Sequence, residues 1–236
     1  MIPYLIINGV SSRDIDGLLI QSLPPISKPK MRTSKEEIDG RDGDIITPLG
    51  YSAYDKTISI GLKGDYNVDD VINYFNTSGR ITFSNELDKY YNFSCYDTID
   101  FEKLIRFKTA KVKLHVQPFK YSIDEPPIVE NIESGETVNT ITVRNTGNIN
   151  SRPKVTLTGS GSVTLRINGK LVLSMTLDDD QTIIFDNMNA TDPQGNYLNR
   201  QVTGDYDNLT FPVGVNSLIV SGVVTKVTLE NFSRWI

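Results

Sequence analysis

Hydrophobic positions in this chain recur every second residue far more often than every third or fourth, so strands are the expected element almost throughout. Lys56-Thr-Ile-Ser-Ile-Gly-Leu62 alternates, with Ile58, Ile60 and Leu62 on one face. Val112-Lys-Leu-His-Val116 turns Val112, Leu114 and Val116 inward and leaves His115 outward beside Lys111 and Lys113. Tyr4 to Ile7 ends at Asn8-Gly9 and Leu18 to Leu23 follows, a pattern that suits two strands paired with each other. Further strands are predicted at Arg80 to Phe83, Tyr90 to Cys95 and Lys111 to Phe119. One segment has helical spacing instead: Val68, Val71, Ile72 and Phe75. Asn67 is a suitable N-cap, Asp69 and Asp70 complement the positive helix end, and Gly79 is the expected stop.

The polar and proline positions divide these elements. Ser22 to Lys30 holds three prolines and cannot lie in the middle of a sheet. Arg32 to Thr47, bounded by Pro29 and Pro48, encloses the polar turn Asp39-Gly-Arg-Asp-Gly-Asp44 between extended segments. It can bury little apolar surface of its own subunit, and a segment this long without a core is usually functional or disordered. Ser122-Ile-Asp-Glu-Pro-Pro127 reads as a linker, so two domains are expected, 1–125 and 126–236.

Beyond the linker basic residues become sparse. Val163 to Ile167 and Leu171 to Leu177 flank Asn168-Gly169, the strongest hairpin signal in the chain. Strands at intervals of about ten residues predict a β-sandwich there. Near the end, Pro212, Gly214 and Asn216 reverse the chain between Phe211 and Ser217. Leu218 and Val220 then share a face, Gly222 is expected to break the run, and Val223 to Leu229 to form a separate last strand.

Composition narrows the function classes. With 236 residues, 38% hydrophobic and 22% charged, the chain is globular and able to bury a core. A net charge of −5 disfavours a binder that works by neutralising phosphates. The single cysteine, Cys95, excludes an intrachain disulfide. The apolar N-terminus is short, with no basic residue before it, and reads as a first strand. No window reaches the roughly 18 apolar residues of a membrane helix. The expectation is a protein made in a cytoplasm that leaves it by lysis or assembly.

Candidate chemistry is thin. His115 sits among cations without a second histidine, and Cys95 lacks a base, so both read as structural. Asp39, Asp42 and Asp44 do not have EF-hand spacing, and Asp178-Asp179-Asp180 reads as a solvated turn at a strand end. Gly159-Ser-Gly161 leads into a strand and offers no helix N-terminus to a phosphate. Lys103, Arg106, Lys108, Lys111, Lys113 and Lys120 form an acid-free stretch that could meet DNA. Lying on the polar face of strands, it could equally pair with acids of a neighbouring subunit. No catalytic residue, metal site or cofactor is expected.

Several of these segments together resemble the distal tail proteins of long-tailed phages that infect Gram-positive bacteria. They are Asp39-Gly-Arg-Asp-Gly43, Lys56 to Leu62, Pro118-Phe-Lys-Tyr121, Val143-Arg-Asn-Thr-Gly-Asn148 with Arg152-Pro-Lys-Val-Thr-Leu157, and the Gly161 to Gly169 hairpin. The most specific is the ending, Phe211-Pro-Val-Gly-Val-Asn-Ser-Leu-Ile-Val-Ser-Gly222 through Trp235-Ile236. The resemblance implies a mainly β protein: a sandwich-like first domain with one helix and an extended hairpin, then a galectin-like or carbohydrate-binding-module-like sandwich.

It further implies a non-enzymatic virion protein of the tail tip, from a phage or prophage, assembled in the host bacterial cytoplasm. Six copies would close a ring joining the tail tube (the major tail protein) to the tail-associated fibre or lysin protein. The ring would leave a channel through which DNA passes, with no membrane partner. The hairpin would reach along the neighbouring subunit. Glu36, Glu37, Arg41 and Asp42 are then the expected interface residues, against the basic stretch at Lys108, Lys111 and Lys113. The alternative is a carbohydrate-binding protein acting on host cell-wall polysaccharide through the second domain, attaching the particle to its host.

Overall fold

Alternation along two strands, β6 (Tyr54–Leu62) and β9 (Thr109–Ser122), builds the centre of the first unit. A computed structural model of the protein describes residues 2–132 and 138–236, in units at Met1–Ile123 and Asp124–Trp235. In the first unit β6 runs antiparallel to β9, with Ile58 opposite Val112 and Ile60 opposite Ala110. The remaining elements are β1 (Leu5–Ile7), β2 (Val10–Ser11), β3 (Leu18–Ser22), β4 (Met31–Glu37), β5 (Asp44–Tyr51), α1 (Val68–Phe75), β7 (Ser78–Phe83), β8 (Lys89–Ser94) and α2 (Phe101–Phe107). Seven strands form one antiparallel sheet in the order β2-β1-β7-β8-β9-β6-β3, and β4 and β5 pair only with each other.

The core of this unit holds Leu5, Ile58, Ile60, Ile81, Val112, Leu114 and Val116, closed by Val71, Tyr74 and Phe75 of α1. Each such aliphatic side chain stabilises the fold by roughly 1.5–3 kcal/mol through removal from water. Tyr74 keeps its hydroxyl satisfied inside, donating to the carbonyl of Leu5 or Val10 at 3.2 and 3.1 Å, and burial raises its phenol pKa.

Three local expectations change. β1 and β3 are not partners: Asn8-Gly9 turns the chain directly into β2, and β3 pairs with β6 at the far end of the strand order. α1 ends at Asn76, whose N–H bonds the Ile72 carbonyl, so Gly79 belongs to β7. A second helix, α2, occupies part of the stretch read as strand, started by Asp100 accepting from the Lys103 N–H at 2.8 Å.

The second unit contains β10 (Ile128–Asn131), β11 (Val138–Asn145), β12 (Lys154–Ile167), β13 (Lys170–Asp186), β14 (Asn189–Thr191), β15 (Val202–Gly204) and β16 (Gly214–Glu230). Its strand order is β10-β16-β12-β13-β14, with β11 also on β16 and β15 also on β13. Asn168 and Gly169, both at positive φ, close the β12–β13 hairpin as expected.

The expected break at Gly222 is absent: β16 runs through it as one strand of 17 residues. The three long strands bend at a common level. The register shifts between Gly159 and Gly161 against β13, and between Ser160 and Thr164 against β16. Gly222 lies at φ +122°, and a Cβ there would sit 2.4 Å from the Ser162 carbonyl oxygen. The glycine therefore marks a bulge at which a continuous strand turns a corner of the sandwich. Val155, Leu157, Val163, Leu165, Leu173, Phe185, Leu218 and Leu229 fill the interior of this unit.

Candidate assembly surface

β4 and β5 form a ribbon with Met31 opposite Tyr51 and Glu37 opposite Asp44. Every residue of β4 is exposed, and of β5 only Ile45 and Tyr51 are partly covered. Tyr51 meets Phe119 edge-on at 5.6 Å where the ribbon leaves the sheet. Beyond that root the ribbon carries bare apolar side chains: Ile38 is 46% exposed, Ile46 57% and Leu49 55%. An isolated two-stranded ribbon is marginal in water, and its unpaired edges invite another chain. Glu36 and Glu37 lie on β4, Arg41 and Asp42 in the turn, and Lys35 bridges Asp44 at 3.2 Å. The sequence-predicted hairpin and its four expected interface residues are therefore together on one projecting element.

The three predicted cations differ in their availability. Lys111 is exposed on β9. Lys113 already holds Asp55 at 2.9 Å and Asp97 at 3.1 Å, and both carboxylates raise its pKa. Lys108 caps α2 in the left-handed conformation and donates to the Tyr66 hydroxyl at 2.6 Å. Lys103 and Arg106 stand on α2 rather than on a strand face. Lys120 departs furthest from the reading: it is 7% exposed and pairs with Glu86 at 2.7 Å. Parity along β9 explains this, since Lys120 follows Val112, Leu114, Val116 and Pro118 on the inward side.

By the same parity Lys56 precedes Ile58 on the inner face and is 4% exposed. Its Nζ donates to the Pro25 carbonyl at 3.0 Å and lies 5.0 Å from the Tyr91 ring centroid. Desolvation lowers its pKa, opposed by the Glu86 carboxylate. Tyr91 donates to Glu86 at 3.3 Å, and burial raises its phenol pKa further above the ordinary value. This cluster ties the proline-rich Ser22 to Lys30 segment to the sheet.

His115 is outward as predicted, but not isolated among cations. Its Nδ1 lies 2.8 Å from Asp55 Oδ1, because β6 pairs with β9 in a register that sets Asp55 opposite His115. The imidazole and Lys113 hold the Asp55 carboxyl below its ordinary range. Cys95 follows β8, is partly buried, and has its thiol pKa raised by desolvation and then by Asp97. A thiol of that kind is a poor nucleophile.

Among the described residues, no group of three or more His, Cys, Asp or Glu side chains has metal-binding geometry. Asp178 to Asp180 lie at the bend of β13, where Ser160 donates to Asp179 at 3.1 Å and accepts from the Asp180 N–H at 2.8 Å. In the second unit, Arg152, Phe185, Met188, Tyr206 and Leu209 line a cavity of about 20 Å³, room for a water molecule rather than a sugar ring. No helix of the described residues is long and apolar enough to cross a membrane.

No protein-family model matches the chain, and neither does any curated protein. Solved structures do. The chain is similar to the SPP1 Dit (gp 19.1) protein, described as a paradigm of the hub adsorption apparatus in phages infecting Gram-positive bacteria. The TM-score is 0.59 at 18% identity, covering 98% of this chain and 99% of that one. It is also similar to a chain of the phage P2 baseplate in its activated conformation with Ca, with a TM-score of 0.50 at 9% identity, covering 98% and 97%. The chain has the fold of the Dit hub protein over essentially its whole length.

Proposed function

We propose that this protein is a distal tail component of a long-tailed phage, a structural hub at the tail tip. Six copies close a ring through their first units. The ring joins the tail tube to the tail-associated fibre or lysin protein and leaves a central channel for DNA. The protein works without catalysis, is assembled in the host bacterial cytoplasm and resides in the virion. The observation that carries this reading is the likeness to the SPP1 Dit protein across both units, at 98% coverage. The uncovered ribbon of β4 and β5 supports it, because a ring needs each subunit to offer a surface that its own core leaves bare. A stable closed ring calls for about 1,000 Å² or more per interface.

The interface residues are Glu36, Glu37, Arg41 and Asp42 from the ribbon, facing the basic stretch that includes Lys108 and Lys111. Lys113 sits in this stretch but is already neutralised by Asp55 and Asp97, so it contributes least. Negative-stain microscopy of the purified full chain tests the proposal. Rings with an open centre and six-fold averages are expected; compact particles without a channel at every concentration would remove it.

A further inference from the structure

The ribbon needs a receiving surface, and the first unit carries one with the complementary character. We propose that the outer face of α2 on one copy receives the tip of the β4–β5 ribbon from the next. This rests on the self-association reading above and names the partner surface within it. α2 is anchored by a single fully buried side chain, Leu104, while Ile105 is 43% exposed and Phe107 61%. Phe107 lies one turn beyond Lys103 and beside Arg106 on one side of the helix, with Ile105 on the other, so the exposed apolar group on the cationic side is Phe107. Cations frame it: Lys103 and Arg106 stand on the helix, and the Arg106 guanidinium lies 5.3 Å from the Phe107 ring centroid. From Lys103 to Lys113 the chain contains no acid.

The ribbon tip is the mirror of this surface. Glu36, Glu37, Asp39 and Asp42 surround the exposed Ile38. Among the described residues none of these four carboxylates forms an ion pair within the chain, and neither do Lys103 and Arg106. Glu102 also stands on α2 and Arg41 in the ribbon turn, but the ribbon tip stays net acidic and the stretch from Lys103 onward basic, so Ile38 among acids meets Phe107 among cations. The outer face of β9 matches less well, because its Lys113 and His115 are occupied by Asp55 and Asp97. Complementary charge of this kind fixes register and partner choice more than raw affinity. Ile38 against Phe107 then provides the dry contact, and the acids and cations its rim.

Charge exchange in the full chain tests this. Glu36→Lys with Glu37→Lys, and separately Lys103→Glu with Arg106→Glu, should each raise the concentration needed for assembly at least tenfold. All four changes in one chain should restore it to within about threefold of the parent. Circular dichroism checks that each variant is folded. A second measurement does not depend on that: Ile38→Cys with Phe107→Cys in a Cys95→Ser background, mildly oxidised. A ladder of covalent multimers is expected. Crosslinked monomer alone would mean that the ribbon folds back on its own helix, and would overturn the proposal. It is equally overturned if the helix pair leaves assembly unchanged while the ribbon pair weakens it, or if the combined variant is no better than the singles; the self-association reading then survives with another acceptor. If removal of the ribbon leaves assembly intact, the proposal is overturned and the interface lies elsewhere; if the parent chain stays monomeric at every concentration, the self-association reading itself fails.

Discussion

The β12–β13 hairpin and the β4–β5 ribbon are both antiparallel and both closed by glycine-containing turns, yet only the first has a dry face. Along β12 the buried hydrophobic side chains are Val155, Leu157, Val163, Leu165 and Ile167, and along β13 Val172, Leu173, Met175, Leu177, Ile183 and Phe185. Along β4 and β5 nothing is buried. The two differ in what folding alone accomplishes. Removal of apolar surface from water stabilises the first at about 25 cal/mol per Å². The second holds its shape through backbone pairing, with Ile38, Ile46 and Leu49 still in water. A ribbon of that kind gains apolar burial only when another surface covers it.

Truncations on the two ribbons should separate most widely. Leu165→Ala, at a side chain with no exposure, should lower unfolding stability by about 2–5 kcal/mol in chemical denaturation. Ile46→Ala should change the stability of the isolated subunit by no more than about 0.5 kcal/mol. A comparable loss at Ile46 in dilute monomer would mean that the ribbon is packed against its own subunit.

A middle-sized effect belongs to the corner of the second unit. Gly222→Ala places a Cβ against the Ser162 carbonyl at a positive φ, and should lower stability by about 1–3 kcal/mol. Gly40→Ala in the ribbon turn also sits at positive φ but meets no atom within 4 Å, so its effect should be visibly smaller. Equal losses at the two positions would show that backbone strain alone, not the close approach at the bend, governs both.

The smallest effect concerns the outer face of β9. The Asp55 carboxyl is held below its ordinary range by His115 first and Lys113 second. A carboxylate depressed in the folded state contributes stability above its unfolded pKa and loses it as pH falls through the folded value. His115→Ala should therefore move the Asp55 midpoint upward in an NMR titration and soften the acid-side loss. The stability change at neutral pH should stay below about 1 kcal/mol, because water screens so exposed a pair. An unmoved midpoint would assign the shift to Lys113.

The strands of the core were legible because period-two alternation is a direct record of burial. Ile58, Ile60 and Leu62, Val112 to Val116, and the Asn168-Gly169 turn stand where the pattern puts them. The mainly β class could be read for the same reason; the extended hairpin was read instead from its polar glycine turn between extended segments and from the resemblance, since nothing along β4 and β5 is buried. α2 was not, although Asp100 is a suitable N-cap and Phe101, Leu104 and Ile105 fall at i, i+3 and i+4, because one turn of that spacing is too short to stand out beside the long alternating strand that follows. Lys56 and Lys120 look like surface residues by type, and only strict parity along β6 and β9 reveals that they are inside, where Glu86 holds Lys120 and the Pro25 carbonyl accepts from Lys56. The pairing of Asp55 with His115 depends on inter-strand register, which residues 60 apart in sequence do not specify. Gly222 was visible as an interruption, but whether a glycine ends a strand or bends it is decided by the neighbour at 2.4 Å, not by the glycine.

The central claim is that the first unit assembles through a ribbon that its own core does not hold. Replacing Ser34 to Asp44 by a short Gly-Ser turn tests it most directly, with mass measured by light scattering and folding by circular dichroism. The account predicts a folded monomer with near-parent thermal stability that no longer forms rings at concentrations where the parent does. Rings persisting at the same concentration would contradict it and move the interface to the sheet faces.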